Sequence, residues 1–170
     1  MSAPNTDQYR VRPFTADDVQ AYKALRLEAL RTEPGVFSAS LAKEQAFSDA
    51  EWIQRVSNPD GSCFGLYHSD KLIGITGVII SKENPQAAFL TQSFICPEER
   101  GKGLSALLYE ARIAWAVARG LSTLVVGHRK DNQVSRSANQ RFGFTYAYEE
   151  VCTWGDGTSD TLLWYRLELT

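Results

Sequence analysis

The sequence predicts an α+β fold, a mixed and mostly antiparallel central sheet flanked by helices, and three observations predict it. Apolar runs at 63–67, 72–80 and 87–95 follow one another with only turns between them, which is an antiparallel meander. After residue 103, Leu104, Leu107, Leu108, Ala111, Trp115 and Ala118 recur at helical spacing. That helix can serve as the crossover that lets the next run, Leu121 to His128, lie parallel to the strand ending at Ile95. Finally, runs at 144–152 and 161–169 flank the turn Trp154-Gly155-Asp156-Gly157 and read as a long closing hairpin.

Each element has its own signal. Residues 1–7 are polar and read as a flexible tail, leaving 8–170 as a single domain. Gln8 to Phe14 alternates Tyr9, Val11 and Pro13 with Arg10 and Arg12, and Pro13 suits an edge strand. Thr15, followed by Asp17 and Asp18, reads as a helix N-cap with acid in the first turn. Val19, Tyr22, Leu25, Ala29 and Leu30 give that helix a buried stripe, and Pro34-Gly35 ends it. Residues 36–47 show no period. Ser48 to Glu51 is a capping box before a short helix that turns Trp52, Ile53 and Val56 inward. Asn58 to Gly61 breaks it, and residues 68–71 turn the first hairpin, with His68 expected exposed and idle. Arg119-Gly120 signals a helix C-cap, and a further helix is expected over 132–141.

Composition bounds the function. The chain has 170 residues, is 44% apolar and carries a net charge of -2, which suits one domain with a substantial core. A pI near 5.7 gives no nucleic-acid footprint. No apolar run has the length of a membrane span, and the first residues lack the basic and apolar regions of a signal peptide, so neither a membrane nor secretion is expected. The three cysteines, Cys63, Cys96 and Cys152, form no C-x-x-C pair and read as reduced thiols of a cytoplasmic protein without a metal site.

The stretch from Ile95 to Ser105 carries the chemistry. Pro97 ends a strand, Gly101 and Gly103 allow a tight turn and a close ligand, and a helix begins nearby. A helix start offers unpaired N–H groups and partial positive charge, so strand, glycine turn and helix together make an anion site suited to phosphate. A P-loop does not fit, because Lys102 is followed by Gly103 rather than Ser or Thr. A Rossmann fingerprint is met formally, with Ala106 in the third glycine position, but the stretch lies past mid-chain with no room for a second βαβ half.

Arg100-Gly101-Lys102-Gly103-Leu104-Ser105 resembles the Q/R-x-x-G-x-G/A signature of the GCN5-related N-acetyltransferases (GNAT), with serine where glycine or alanine is usual. Asn132 and Arg141-Phe142-Gly143-Phe144 follow in the order and spacing of that family, and the resemblance covers about residues 9–169. It implies a GNAT-like sheet whose parallel pair is splayed, and acetyl-CoA as co-substrate with no metal. The loop backbone of Arg100, Gly101, Lys102, Gly103, Leu104 and Ser105 would hold the pyrophosphate, the two basic side chains adding attraction. Main-chain groups around Phe94, Ile95 and Cys96 would meet the pantetheine arm in the splay, and Asn132 would reach the same arm.

The departures bear on catalysis. Many relatives place a tyrosine four residues before the Gly of the Gly-Phe pair, where its hydroxyl can donate to the leaving thiolate; here Asn139 stands there, a cofactor contact that cannot act as an acid. Ser135, Tyr146 and Tyr148 are the substitutes. Residues 87–95 contain no acid to serve as base, only Thr91, Gln92 and Ser93. The resemblance makes Arg26, Glu28, Phe37, Glu44 and Trp52 acceptor contacts. The function it implies is transfer of acetyl to a primary amine of a small molecule or peptide by direct attack, with room for a homodimer. A non-catalytic acyl-CoA-binding regulatory domain is the rival reading, and a dinucleotide binder the third.

Overall fold

A computed structural model describes residues 8–169; the expected tail at 1–7 lies outside them. Strand β1 (Tyr9–Pro13) leads through a short 3-10 turn into helix α1 (Val19–Thr32), followed by α2 (Leu41–Gln45) and α3 (Asp49–Ser57). The meander is β2 (Gly61–His68), β3 (Lys71–Ile80) and β4 (Ala87–Ile95). Helix α4 (Ser105–Ala118) crosses to β5 (Thr123–Arg129), and α5 (Gln133–Arg141) precedes the hairpin of β6 (Thr145–Thr153) and β7 (Ser159–Glu168). Among the described residues, one seven-stranded sheet runs β1-β2-β3-β4-β5-β7-β6, and only β4 and β5 pair in parallel. β1 with Pro13 is an edge strand, as its proline requires. No described helix is long and apolar enough to cross a membrane.

Two irregularities position the site. The parallel ladder holds only from Ala87 opposite Thr123 to Leu90 opposite Val126, and beyond it the strands separate. On the other edge of β4, the step from Ile75 to Gly77 is matched by the step from Phe94 to Thr91, so β4 carries one extra residue. Gln92, with φ 60°, sits in that bulge. Such an insertion bends its strand and increases the local twist, and here it lies beside the point where β4 leaves β5.

The sheet is covered on both faces. On one face, Tyr22, Leu25 and Ala29 of α1 and Trp52 of α3 pack with Phe14, Ile75 and Phe94. Under α4, Leu66, Ile73, Leu104 and Leu108 pack together, next to a larger cluster that includes Ala88, Leu90, Tyr109, Leu124 and Phe144. The expected stripe of α1 is buried throughout, with Arg26 buried beside it.

Four expectations change. Ile53 is 44% exposed: α3 turns the i, i+4 pair Trp52 and Val56 onto the core, and Ile53 is one position round the helix. Ala118 is exposed in the last turn of α4, whose buried side is Leu108, Tyr109, Arg112 and Ala116. The aperiodic stretch 36–47 contains α2, capped by Ser40 and tied down through buried Glu44 rather than an apolar stripe. His68 is not idle: its ring stacks on Tyr9 at 4.4 Å and its Nδ1 lies 3.5 Å from a Glu99 carboxylate oxygen.

Candidate active site

The glycine loop leaves β4 through a 3-10 turn, Pro97–Glu99, and ends where α4 begins. Gly101 and Gly103 both adopt left-handed backbone, at φ 78° and 77°, which an L side chain rarely tolerates. Among the described residues, the amides of Gly101 to Leu104 find no acceptor in the chain. A Cβ on Gly101 would meet no atom within 4 Å, so the backbone there is open to a ligand. Leu104, almost fully buried with Leu66, Ile73 and Leu108, pins the loop to the sheet. Free amides and left-handed glycines at the N-terminus of a 14-residue helix fit a pyrophosphate. Arg100 and Lys102 stand beside them, each engaged by an acid. Arg100 Nη1 is 2.7 Å from Glu33, and Lys102 Nζ is 2.9 Å from Glu99. Both basic side chains are 42% exposed, so exchanging these partners for phosphate costs little.

The gap between β4 and β5 narrows the expected main-chain contacts. The Cys96 N–H donates to the Ile73 carbonyl, and Phe94 stands opposite Ile75 in the same ladder. Their backbone groups belong to β3, which corrects the expectation that they face the splay. Ile95, between them, turns its N–H and C=O the other way by the alternation of an antiparallel ladder. Its carbonyl already accepts from Arg100 Nε at 2.7 Å, which leaves the Ile95 N–H facing the gap.

On the α4 and α5 side, Asn132 caps α5, its Oδ1 accepting from the Ser135 N–H at 3.1 Å. Asn139 is enclosed rather than presented to a ligand. Its Oδ1 accepts from the Tyr109 hydroxyl and its Nδ2 donates to His128 Nδ1 at 3.1 Å. With Nδ1 accepting, the proton of a neutral His128 sits on Nε2, which is buried and finds no partner among the described residues. Burial, then the nearby Arg136, lowers the His128 pKa to about 4. Sequence reading missed this chain because its members lie 30 and 11 residues apart. The available signal was a histidine at an inward position of an otherwise apolar strand.

On the opposite face, a cavity of about 790 Å³ opens beside the bulge. Arg26, Phe37 and Glu44, expected from sequence, line it; Trp52 lies fully buried beneath it and Glu28 is exposed elsewhere. Thr91 and Gln92 reach the cavity, whereas Ser93 is bonded to Thr76 and Arg112. Arg26 Nε and Nη2 clamp the Glu44 carboxylate at 2.9 and 3.0 Å, and Arg55 Nη1 adds a third bond at 3.0 Å. Burial alone would raise the Glu44 carboxyl, but these guanidinium bonds outweigh it and the net shift is downward. The Tyr22 hydroxyl donates to Gln92 Oε1 and accepts from Arg55 at 3.4 Å. Arg55 and Tyr22 are the residues sequence reading missed here.

The substitute acids separate. Tyr148 lines the cavity, stacked against Trp164 at 6.1 Å between ring centroids. Tyr146 is exposed and donates to Glu149, and Ser135 sits in the first turn of α5; neither lines the cavity. All three cysteines are free, and burial raises the pKa of each, Cys96 with further help from Glu98 and Glu28. None is an activated thiolate. Among the described residues, no group of three or more His, Cys, Asp or Glu could hold a metal ion.

A phosphate-fitting loop at the head of a crossover helix, a splayed parallel pair and a cavity on the far face together define an acyl-CoA-dependent transferase. The chain belongs to the acetyltransferase (GNAT) family, whose model matches residues 23–144, and it is an acetyl-CoA-dependent N-acetyltransferase. No curated relative is similar enough in sequence to match. Among solved structures, a ribosomal-protein-S5-alanine acetyltransferase from Vibrio fischeri is similar at TM-score 0.80 and 15% identity, covering 99% of this chain and 97% of that one. An N-acetyltransferase from Staphylococcus aureus gives 0.77 and 20%, covering 95% and 99%. A ribosomal L7/L12 alpha-N-protein acetyltransferase in complex with coenzyme A gives 0.76 and 17%, covering 98% and 97%. At these identities the likeness is one of fold.

Proposed function

We propose that this chain transfers acetyl from acetyl-CoA to the primary amine of a small molecule or peptide by direct attack, without an acyl-enzyme. The observation that carries the reading is the meeting of two sites at one break in the sheet. The loop that fits pyrophosphate lies at the end of β4 and the cavity opens beside the bulge in the same strand. Acetyl-CoA, when bound, supplies an already activated thioester, so the protein's part is positioning and electrostatics.

The loop amides and Ile95 N–H fix the cofactor side. Gln92, held by Tyr22, fixes the wall where an amine must enter. Glu44 is committed to two arginines and is a poor base, so the amine enters neutral or passes its proton through water to an exposed acid of the wall, Glu83 or Glu150. Tyr148 is the one substitute acid on the cavity wall. The raised thiols support direct attack, because none offers a nucleophilic thiolate near neutral pH. Two of the similar structures are named as acetylating ribosomal proteins, which makes a peptide N-terminus a reasonable member of the acceptor panel.

The test is thiol release from acetyl-CoA with a panel of small amines and short peptides, with mass spectrometry of the protein incubated with acetyl-CoA alone. Release that depends on amine, with no acetylated protein, is expected. A stoichiometric acetyl-cysteine discharged by amine would overturn direct attack, and no release with any acceptor would overturn the reading as a whole.

A further inference from the structure

The corner of the cavity formed by Arg26, Glu44 and Arg55 holds two guanidinium groups for one carboxylate. The Arg26 and Glu44 side chains are 5% and 4% exposed, so this is not a solvated surface pair. Ionic groups taken out of water are normally matched in charge and in hydrogen bonds. Here they are not. Arg26 Nη1 is sealed from solvent and, among the described residues, donates to nothing, and its guanidinium lies over the Phe37 ring at 5.2 Å. Arg55 gives only Nη1, to Glu44 and Tyr22; among the described residues its Nε and Nη2 have no acceptor. The excess is one positive charge with unspent N–H donors, on the cavity wall next to Gln92.

The rest of the wall is apolar or acidic. Phe89, Tyr148 and Trp164 line the opposite part, with Glu83 and Glu150. Both glutamates are exposed, and Glu150 accepts from Trp164 Nε1 at 3.1 Å. An anion entering this cavity is therefore repelled by the far end and drawn to the arginine corner. The excess of one charge matches a carboxylate better than a phosphate dianion, and because the Arg26 fork is taken by Glu44, the planar Nε and Nη2 edge of Arg55 is the one that suits two-oxygen recognition.

We propose that the arginine corner binds a carboxylate of the acceptor, so that the substrate class is a primary amine that also carries a carboxylate. This rests on the reading of the cavity as the acceptor site. The carboxylate supplies the missing counter-charge and anchors the acceptor beside the bulge, while the acidic far end sets its direction.

The experiment has a kinetic and a binding arm. Phenylalanine is compared with phenethylamine, and 4-aminobutyrate with butylamine, as acceptors for the wild type and for Arg55→Gln, with kcat/KM corrected for the fraction of neutral amine. In parallel, binding of 3-phenylpropionate, which has no amine and cannot be acetylated, is measured by calorimetry on both proteins. Arg55 is partly exposed, and a thermal melt establishes that the variant is folded; Arg26→Lys serves as a second variant. The expected result is a preference of about tenfold or more for the carboxylate member of each pair, lost in Arg55→Gln together with 3-phenylpropionate binding. Equal turnover within each pair, or equal 3-phenylpropionate binding by wild type and variant, overturns the proposal and leaves acetyl transfer intact. Arg55-dependent 3-phenylpropionate binding in a protein that acetylates no amine supports the carboxylate corner and removes the acetyl-transfer reading instead.

Discussion

The two sites that meet at the break between β4 and β5 are made of different material. The cofactor side is main chain: free amides from Gly101 to Leu104, left-handed glycines and the Ile95 N–H, with its charged side chains exposed. The cavity side is side chain: Arg26, Glu44, Arg55, Tyr22 and Gln92, drawn from α1, α2, α3 and β4 and largely buried. Every residue type has a backbone, so the first kind of site tolerates change in nearly everything except its glycines. The second kind depends on each partner, because a buried charge left alone is costly.

That contrast can be broken first at Glu44. Glu44→Ala leaves the buried Arg26 guanidinium without its counter-charge and beside that of Arg55, and a loss of about 3–5 kcal/mol in unfolding free energy is expected, read by urea denaturation. A loss below about 1 kcal/mol would mean that the cavity ion pairs are as dispensable as surface ones.

The next test is pH. His128 has its folded pKa lowered from 6.5 to about 4 by burial. As pH falls below 6.5 the unfolded chain takes up a proton that the folded chain refuses. Its contribution is therefore fully present above that pH, is lost as pH falls toward 4, and changes no further once both states are protonated. Denaturation midpoints at several pH values should show this loss in the wild type and a flatter profile in His128→Gln. Parallel profiles would remove the Tyr109–Asn139–His128 chain as a buried neutral unit.

The smallest effect is expected on the cofactor side. Arg100→Ala and Lys102→Ala each break an exposed ion pair and should leave the urea midpoint nearly unchanged, with a modest, salt-sensitive loss of CoA affinity. A large, salt-insensitive loss from either would place side chains rather than main chain at the centre of that site.

The same contrast explains what the sequence could disclose. The loop was legible because its determinants are contiguous: Pro97 ends a strand, two glycines turn, and a leucine-rich helix follows. The meander, the crossover and the edge position of β1 followed from the same local rules. The arginine corner was not legible as a unit, because Arg26 and Glu44 are 18 residues apart and Arg55 is another 11 on, in three different helices. Asn139 is a related case. Its place in the motif is local, but its partners are Tyr109 and His128, and tertiary packing alone decides that the amide faces them. Strand pairing alone puts Phe94 and Cys96 at the splay, and the register that commits the Cys96 N–H to Ile73 is not local information.

Calorimetric titration of CoA into wild type and Gly103→Val tests whether the main chain at the head of α4 holds the cofactor. Gly103 has φ 77°, so valine brings both backbone strain and a branched side chain to the place where a pyrophosphate must approach. A circular dichroism spectrum and melt establish that the variant is folded. Its affinity is expected to fall at least about tenfold, or about 1.4 kcal/mol. Unchanged affinity in a folded variant would contradict it and remove the loop from the cofactor site.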